Sequence, residues 1–223
     1  MGSLLSFPAA AFPERFSATY TVTAGNMTIG QAEWSLVPTG NGHYQYDAVT
    51  FPKGALSLFY KSHRTEHSEW RYKGERIQPL IYRYNRGGKK DRKIEVVFDW
   101  EQGLVKNTAK GKTWQMPVPP NTLDKNVYVL ALMHDLDRGR RNFEYPIADG
   151  GKLKNYRFSF VGEESLDTTL GGVKTVLIKR IRKTVARETT FWCAPKFSYL
   201  PVKVVHLEKD GTTITLRIKE FSE

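Results

Sequence analysis

The sequence predicts a mainly β fold: a strongly curved antiparallel sheet, a half-barrel or incomplete barrel, with one long helix on its concave side. Three observations carry this expectation. Apolar and polar residues alternate with period two over many short stretches, as in Phe16, Ala18, Tyr20 and Val22 against Ser17, Thr19, Thr21 and Thr23. Such alternation places one set on each face of a strand. Glycine, proline and asparagine punctuate these stretches at close intervals, so successive strands join through short turns and pair antiparallel. One segment breaks the pattern. From Val127 to Met133 the chain is apolar on nearly every side, and a helix with so little polar surface belongs inside the fold.

In chain order, Met1-Gly2-Ser3 reads as an expression scar. Leu4 to Ala11 resembles the end of a signal peptide with a small-residue cleavage site at Ala9, Ala10 and Ala11. Residues 1–15 are therefore expected to be a disordered remnant, and residues 16–223 one β-rich domain. Strands follow at 16–23, 27–37 and 44–49, joined by Gly25-Asn26 and by the turn from Pro38 to Gly42. The short apolar segment from Ala55 to Tyr60 reads either as a helical turn or as a loop packed across an open end of the sheet. Further strands are expected at 62–72, 77–84, 93–100 and 104–110, after which Pro119-Pro120 leads into the helix.

The helix is placed at residues 122–138, with Asn121 as N-cap, Asp124 three residues on, Arg138 in the last turn and Gly139 just beyond. The stretch from Tyr145 to Gly151 reads as a turn-rich connection. Strands resume at 155–163, 173–183, 188–194, 202–208 and 212–221, the last pair joined by an Asp210-Gly211 hairpin. That makes about twelve strands and one helix.

A chain of 223 residues with 40% hydrophobic and 26% charged residues suits one soluble globular domain. Its net charge of +11 and pI near 9.6 would suit nucleic acid, anionic lipid or acidic glycan. The basic residues are dispersed, however. The densest runs, from Lys89 to Lys93 and from Lys179 to Lys183, read as a turn and a strand with one charged face. No apolar run reaches the roughly 18 residues of a membrane span, so an integral membrane protein is not expected.

Glu188-Thr189-Thr190-Phe191-Trp192-Cys193-Ala194-Pro195, followed by Tyr199-Leu200-Pro201-Val202-Lys203-Val204, resembles the signature of the bacterial domain-of-unknown-function 3108 family. Leu58-Phe59-Tyr60-Lys61, the stretch from Thr65 to Trp70, Val97-Phe98-Asp99-Trp100 and the stretch from Tyr145 to Gly150 agree with it. The resemblance implies an exported protein of a Gram-negative bacterium and supplies no catalytic residues. Thr190-Phe191-Trp192 leading to Leu200-Pro201-Val202-Lys203 is also similar to the ending of periplasmic lipoprotein-carrier proteins, which are curved sheets closed by helices over an apolar cavity.

Catalytic patterns are weak. His63-Arg64-Thr65-Glu66-His67 matches H-x-x-E-H, but that chemistry needs a helix. In a strand the two histidines stand about 13 Å apart, too far to share one metal ion. No G-x-S-x-G, P-loop or G-x-G-x-x-G is present. Cys193 has no basic residue within two positions and reads as an inert buried thiol. His134 reads as a core or rim histidine. Phe191 and Trp192 are adjacent, so one ring faces the core and the other faces away, and Trp192 is taken as a structural keystone.

The expectation is therefore a non-enzymatic periplasmic binding protein for an apolar or amphipathic ligand such as a lipid, with no cofactor, metal or nucleic acid. The ligand-lining residues expected are Val127, Leu130, Met133 and His134 from the helix, with Trp34, Phe59, Trp70, Tyr82, Phe98 and Trp192 from strands. The alternative is an envelope module whose basic surface docks on anionic lipid, polysaccharide or a protein partner.

Overall fold

The computed structural model describes residues 12–53, 63–88, 91–182 and 187–223. The expected segment around Phe59 lies outside the described residues. Eight strands precede the helix: β1 (Phe16–Ala24), β2 (Met27–Gly40), β3 (His43–Pro52), β4 (Arg64–Lys73), β5 (Arg76–Arg86), β6 (Arg92–Asp99), β7 (Leu104–Ala109) and β8 (Lys112–Pro117). The helix α1 (Tyr128–Asp137) is followed by β9 (Asn142–Asp149), β10 (Lys152–Thr168), β11 (Gly171–Ile181), β12 (Glu188–Ala194), β13 (Leu200–Leu207) and β14 (Thr213–Ser222). Phe12, expected in the disordered remnant, lies edge-on to His134 at 5.3 Å between ring centroids.

The fourteen strands of the described residues form one sheet, in the order β8-β7-β6-β5-β4-β3-β2-β1-β14-β13-β12-β11-β10-β9, with every neighbouring pair antiparallel. The chain starts mid-sheet and meanders to the β8 edge. It then crosses through α1 to the β9 edge and meanders back until β14 pairs with β1. Register shifts at Thr19/Tyr20, Glu69/Trp70, Phe160/Gly162 and Trp192/Cys193 mark bulges, which bend a sheet and increase its twist.

Two strands exceed the sequence expectation, β8 and β9. The stretch from Tyr145 to Gly151 reads in the sequence as a turn-rich connection, and it contains Pro146, which cannot donate to a ladder. In the fold, β9 is an edge strand. Pro146 O accepts from Leu123 N at 2.8 Å, so its carbonyl, and with it the missing N–H, point away from β10. Proline is tolerated at such a position.

The sheet edges do not hydrogen-bond to each other, yet the seam between them is crossed. Val118 N donates to Gly103 O at 2.9 Å, and Ala148 N donates to Leu123 O at 2.9 Å. Ala148 of β9 packs in one cluster with Tyr82, Val96, Phe98 and Val105 from β5, β6 and β7. Gly151 lies under the Trp114 ring of β8, and a Cβ there would come within 2.2 Å of that ring. Side chains and one stretch of linker close what the strands leave open.

The helix is shorter than expected at its start. Asn121 has φ 67° and no helical role, while Leu123 forms a parallel bridge to Ile147. The backbone of Leu123 is thus committed to β9, and α1 begins only at Tyr128. Asp124 holds the turn that leads into the helix: its Oδ1 accepts from Asn126 N at 2.7 Å and Val127 N at 2.9 Å, while Val127, the N-cap itself, offers no side-chain cap bond. The other end matches expectation, with Gly139 at φ 75° donating to Leu136 O at 2.9 Å. Val129, Leu130, Ala131, Leu132, Met133 and Leu136 are buried in a core shared with all strands except β6, β7 and β8.

Candidate functional site

Alternation fixes what each strand shows to the inside. In β4, Glu66, Ser68 and Trp70 face inward, whereas His67 lies on the other face with Nδ1 2.7 Å from Asp47 Oδ1 and Nε2 3.4 Å from Glu69 Oε1. The H-x-x-E-H pattern is thus a strand with its glutamate pointing in and His67 within a surface charge ladder. Among the described residues no group of three or more His, Cys, Asp or Glu could hold a metal ion.

The inward residues of β4 anchor the start of α1. Ser68 Oγ donates to Asp124 Oδ1 at 3.1 Å, and Asn126 Nδ2 donates to Tyr46 O at 3.0 Å. Glu66 accepts from the Tyr82 hydroxyl at 2.7 Å and pairs with Arg64. Burial opposes the Arg64 charge, but Glu66 outweighs it and holds the guanidinium pKa above its ordinary value. Burial pushes the Asp124 carboxyl up to about 7, despite its two backbone N–H partners.

Above this network the inside of the sheet opens as a cleft of about 550 Å³, a size typical of small-molecule sites. The first residues of α1, Tyr128 and Val129, line it. Its apolar walls come from Val22, Trp34, Phe191, Val204, Ile214 and Leu216 on five strands. Its polar side carries six cations, Arg64, Lys125, Lys154, Arg180, Arg182 and Arg187, against the carboxylates Glu66, Asp149 and Glu208. Arg180 lies across the Tyr156 ring at 3.2 Å from its centroid. Tyr128 in turn meets Tyr156 edge-on and stacks on Phe158.

Among the ten residues expected to line a ligand, Trp34 lines this cleft. Val127, Leu130, Met133 and Trp70 are fully buried within the main core, and Tyr82 and Phe98 belong to the smaller cluster at the seam. Trp192 lies on the outer face, donating to Glu164 and covered by the Lys203 ammonium at 3.9 Å. The ring turned into the core is Phe191, not Trp192. His134 lines a different cleft of about 450 Å³ at the other end of α1. There Arg138 pairs with Glu75 and Arg140 pairs with Asp135, which leaves less unneutralised charge. Phe59 lies outside the described residues.

Sequence reasoning missed Arg64, Tyr128, Arg180, Arg182 and Arg187. A signal did exist for two of them. Ile178 is core, and period two from Ile178 selects Arg180 and then Arg182, so the charged face of that strand is the inner one.

The profile of the family described as "Protein of unknown function (DUF3108)" matches residues 19–219. The chain belongs to the DUF3108 family. The match covers almost all of the sheet, including every strand that lines the cleft. No curated protein matches this DUF3108 chain. Among solved structures, it is similar to a β-barrel-like protein of domain of unknown function DUF1849 from Brucella abortus, with TM-score 0.58 and 9% identity over 93% of this chain and 97% of that one. At that identity the likeness concerns the fold: an antiparallel, barrel-like sheet. No helix among the described residues is long and apolar enough to cross a membrane.

Proposed function

We propose that this DUF3108 protein is a non-enzymatic binding protein that holds an amphipathic ligand, such as a lipid, in the cleft above α1. The observation that carries this reading is the division of the cleft between aromatic and aliphatic walls and a polar, cationic side. An amphiphile can bury its chain against the first, at roughly 0.8 kcal/mol per CH₂, and keep its head at the second. Cys193 is no candidate nucleophile. Burial drives its thiol pKa far up, so it does not supply a thiolate nucleophile. The compartment proposed is the periplasm of a Gram-negative bacterium, a reading that rests on the signal-like stretch from Leu4 to Ala11 together with what the family resemblance implies.

The test is native mass spectrometry of the protein released gently from a Gram-negative host. The expected result is a bound species with the mass of a lipid, lost when Leu216→Arg and Val204→Arg fill the apolar wall. A protein that carries no lipid, and that takes up none from a lipid extract, refutes the reading.

A further inference from the structure

Resting on that binding reading, we infer that the cleft selects an amphiphile with an anionic head, a carboxylate or a phosphate, and that Arg180 and Arg182 grip that head. Each of the other four cations lining the cleft already has a carboxylate. Arg64 pairs with Glu66, Arg187 pairs with Glu208 at 3.1 Å, and Lys125 and Lys154 share Asp149 at 3.4 and 2.8 Å. Among the described residues Arg180 and Arg182 have none. Their Nε atoms are buried and without a hydrogen-bond partner.

Two residues apart on one strand and its continuation, they share a face, and each charge acts on the other. Burial and then the Arg180 charge lower the Arg182 pKa from its ordinary value. Two like charges held together in a half-enclosed cleft are unfavourable, and an anion placed between them removes that cost. Guanidinium forks match the paired oxygens of carboxylate and phosphate, forming short, charge-assisted bonds.

The same cleft presents Trp34, Val204 and Leu216, which a free anion would leave exposed. The head group of a chain-bearing molecule is therefore the source assigned, rather than inorganic phosphate.

Isothermal titration calorimetry on the intact protein separates these sources. The probes are dodecanoate, dodecyl phosphate, dodecanol and inorganic phosphate, the two anionic amphiphiles below their micelle concentrations and dodecanol below its solubility limit. The two anionic amphiphiles should bind about ten- to a hundredfold tighter than dodecanol, the range expected for hydrogen bonds between charged groups, and inorganic phosphate should bind weakest. Arg182→Gln removes one of two repelling cations, so it should melt no lower than the parent while bringing dodecanoate affinity down to that of dodecanol. Arg180→Gln, which also loses contact with Tyr156, should act in the same direction, and Arg182→Gln decides alone if Arg180→Gln does not fold. Equal affinity for dodecanol and dodecanoate, unchanged in Arg182→Gln, overturns the head-group assignment and leaves the binding reading standing. Failure of every chain-bearing probe overturns both.

Discussion

Replacing Asp124 by asparagine should reverse part of the pH dependence of stability. Asp124 is fully buried; its Oδ1 accepts from Asn126 N, Val127 N and Ser68 Oγ, and its Oδ2 has no partner among the described residues. Burial raises its pKa from 3.8 to about 7. A raised carboxyl pKa means that the folded state holds a proton the unfolded state has released. Stability from this group is thus fully present below pH 3.8 and is lost as pH rises through about 7. A shift of roughly three units at 1.36 kcal/mol each sets an upper bound of roughly 4 kcal/mol. Asparagine keeps the acceptor but has no charge to bury. Its two amide hydrogens meet the unpartnered side of the site, which costs about 1–3 kcal/mol at every pH. Urea melts of parent and Asp124→Asn at pH 4, 6 and 8 should show the variant less stable at pH 4. The difference should then move in the variant's favour by up to roughly 4 kcal/mol at pH 8, on the order of 10 °C in melting temperature for a chain of this size. A stability difference that stays flat across the range, or widens against the variant, refutes this account of the buried carboxyl.

Other perturbations test the packing. Phe191→Ala should cost about 3–5 kcal/mol in chemical denaturation, as for other buried aromatics, whereas Trp192→Ala should cost less, about 1–3 kcal/mol, its loss being a hydrogen bond, a cation–π contact and the packing of a half-buried ring. Gly151→Val should destabilise through both its positive φ and the collision with Trp114, so adding Trp114→Ala should recover only part of the loss in a double-mutant cycle. Cys193 should stay inert to a thiol reagent at pH 8 in native buffer and react fully in denaturant, since burial raises its pKa and excludes the reagent.

Much of the sheet was legible because period two is a local signal. Phe16, Ala18, Tyr20 and Val22 announce the inner face of β1 without reference to any partner, and all four are buried. What failed was decided at a distance. Asn121 is a credible N-cap, and nothing local chooses between a helix that starts there and one that starts later. The choice is made by Leu123, whose N–H and C=O are taken by β9, a strand that the sequence hides behind Pro146. Once Leu123 is extended, Asn121 cannot begin a helix, and α1 starts only at Tyr128, after the turn that Asp124 holds. The two errors, a helix begun too early and a strand read as a connection, are one error seen from both partners of a single bridge.

The site was less legible for a related reason. The apolar residues that suggest a lining in the sequence, Val127, Leu130, Met133 and Trp70, are among those that pack most completely. Whatever fills its own space cannot also hold a ligand. The cleft remains where filling stops: beyond Ile178 on β11 the inner face continues as Arg180 and Arg182, and beyond Trp70 and Ser68 on β4 it continues as Glu66 and Arg64. Along these strands an apolar inner face changes to a charged one at its open end, and Lys125, Asn126 and Tyr128 at the start of α1 meet that change. A core residue and a ligand-facing residue can occupy the same strand face and the same period. What separates them is the point at which a buried position first takes a charged side chain, and in this chain that point marks the mouth.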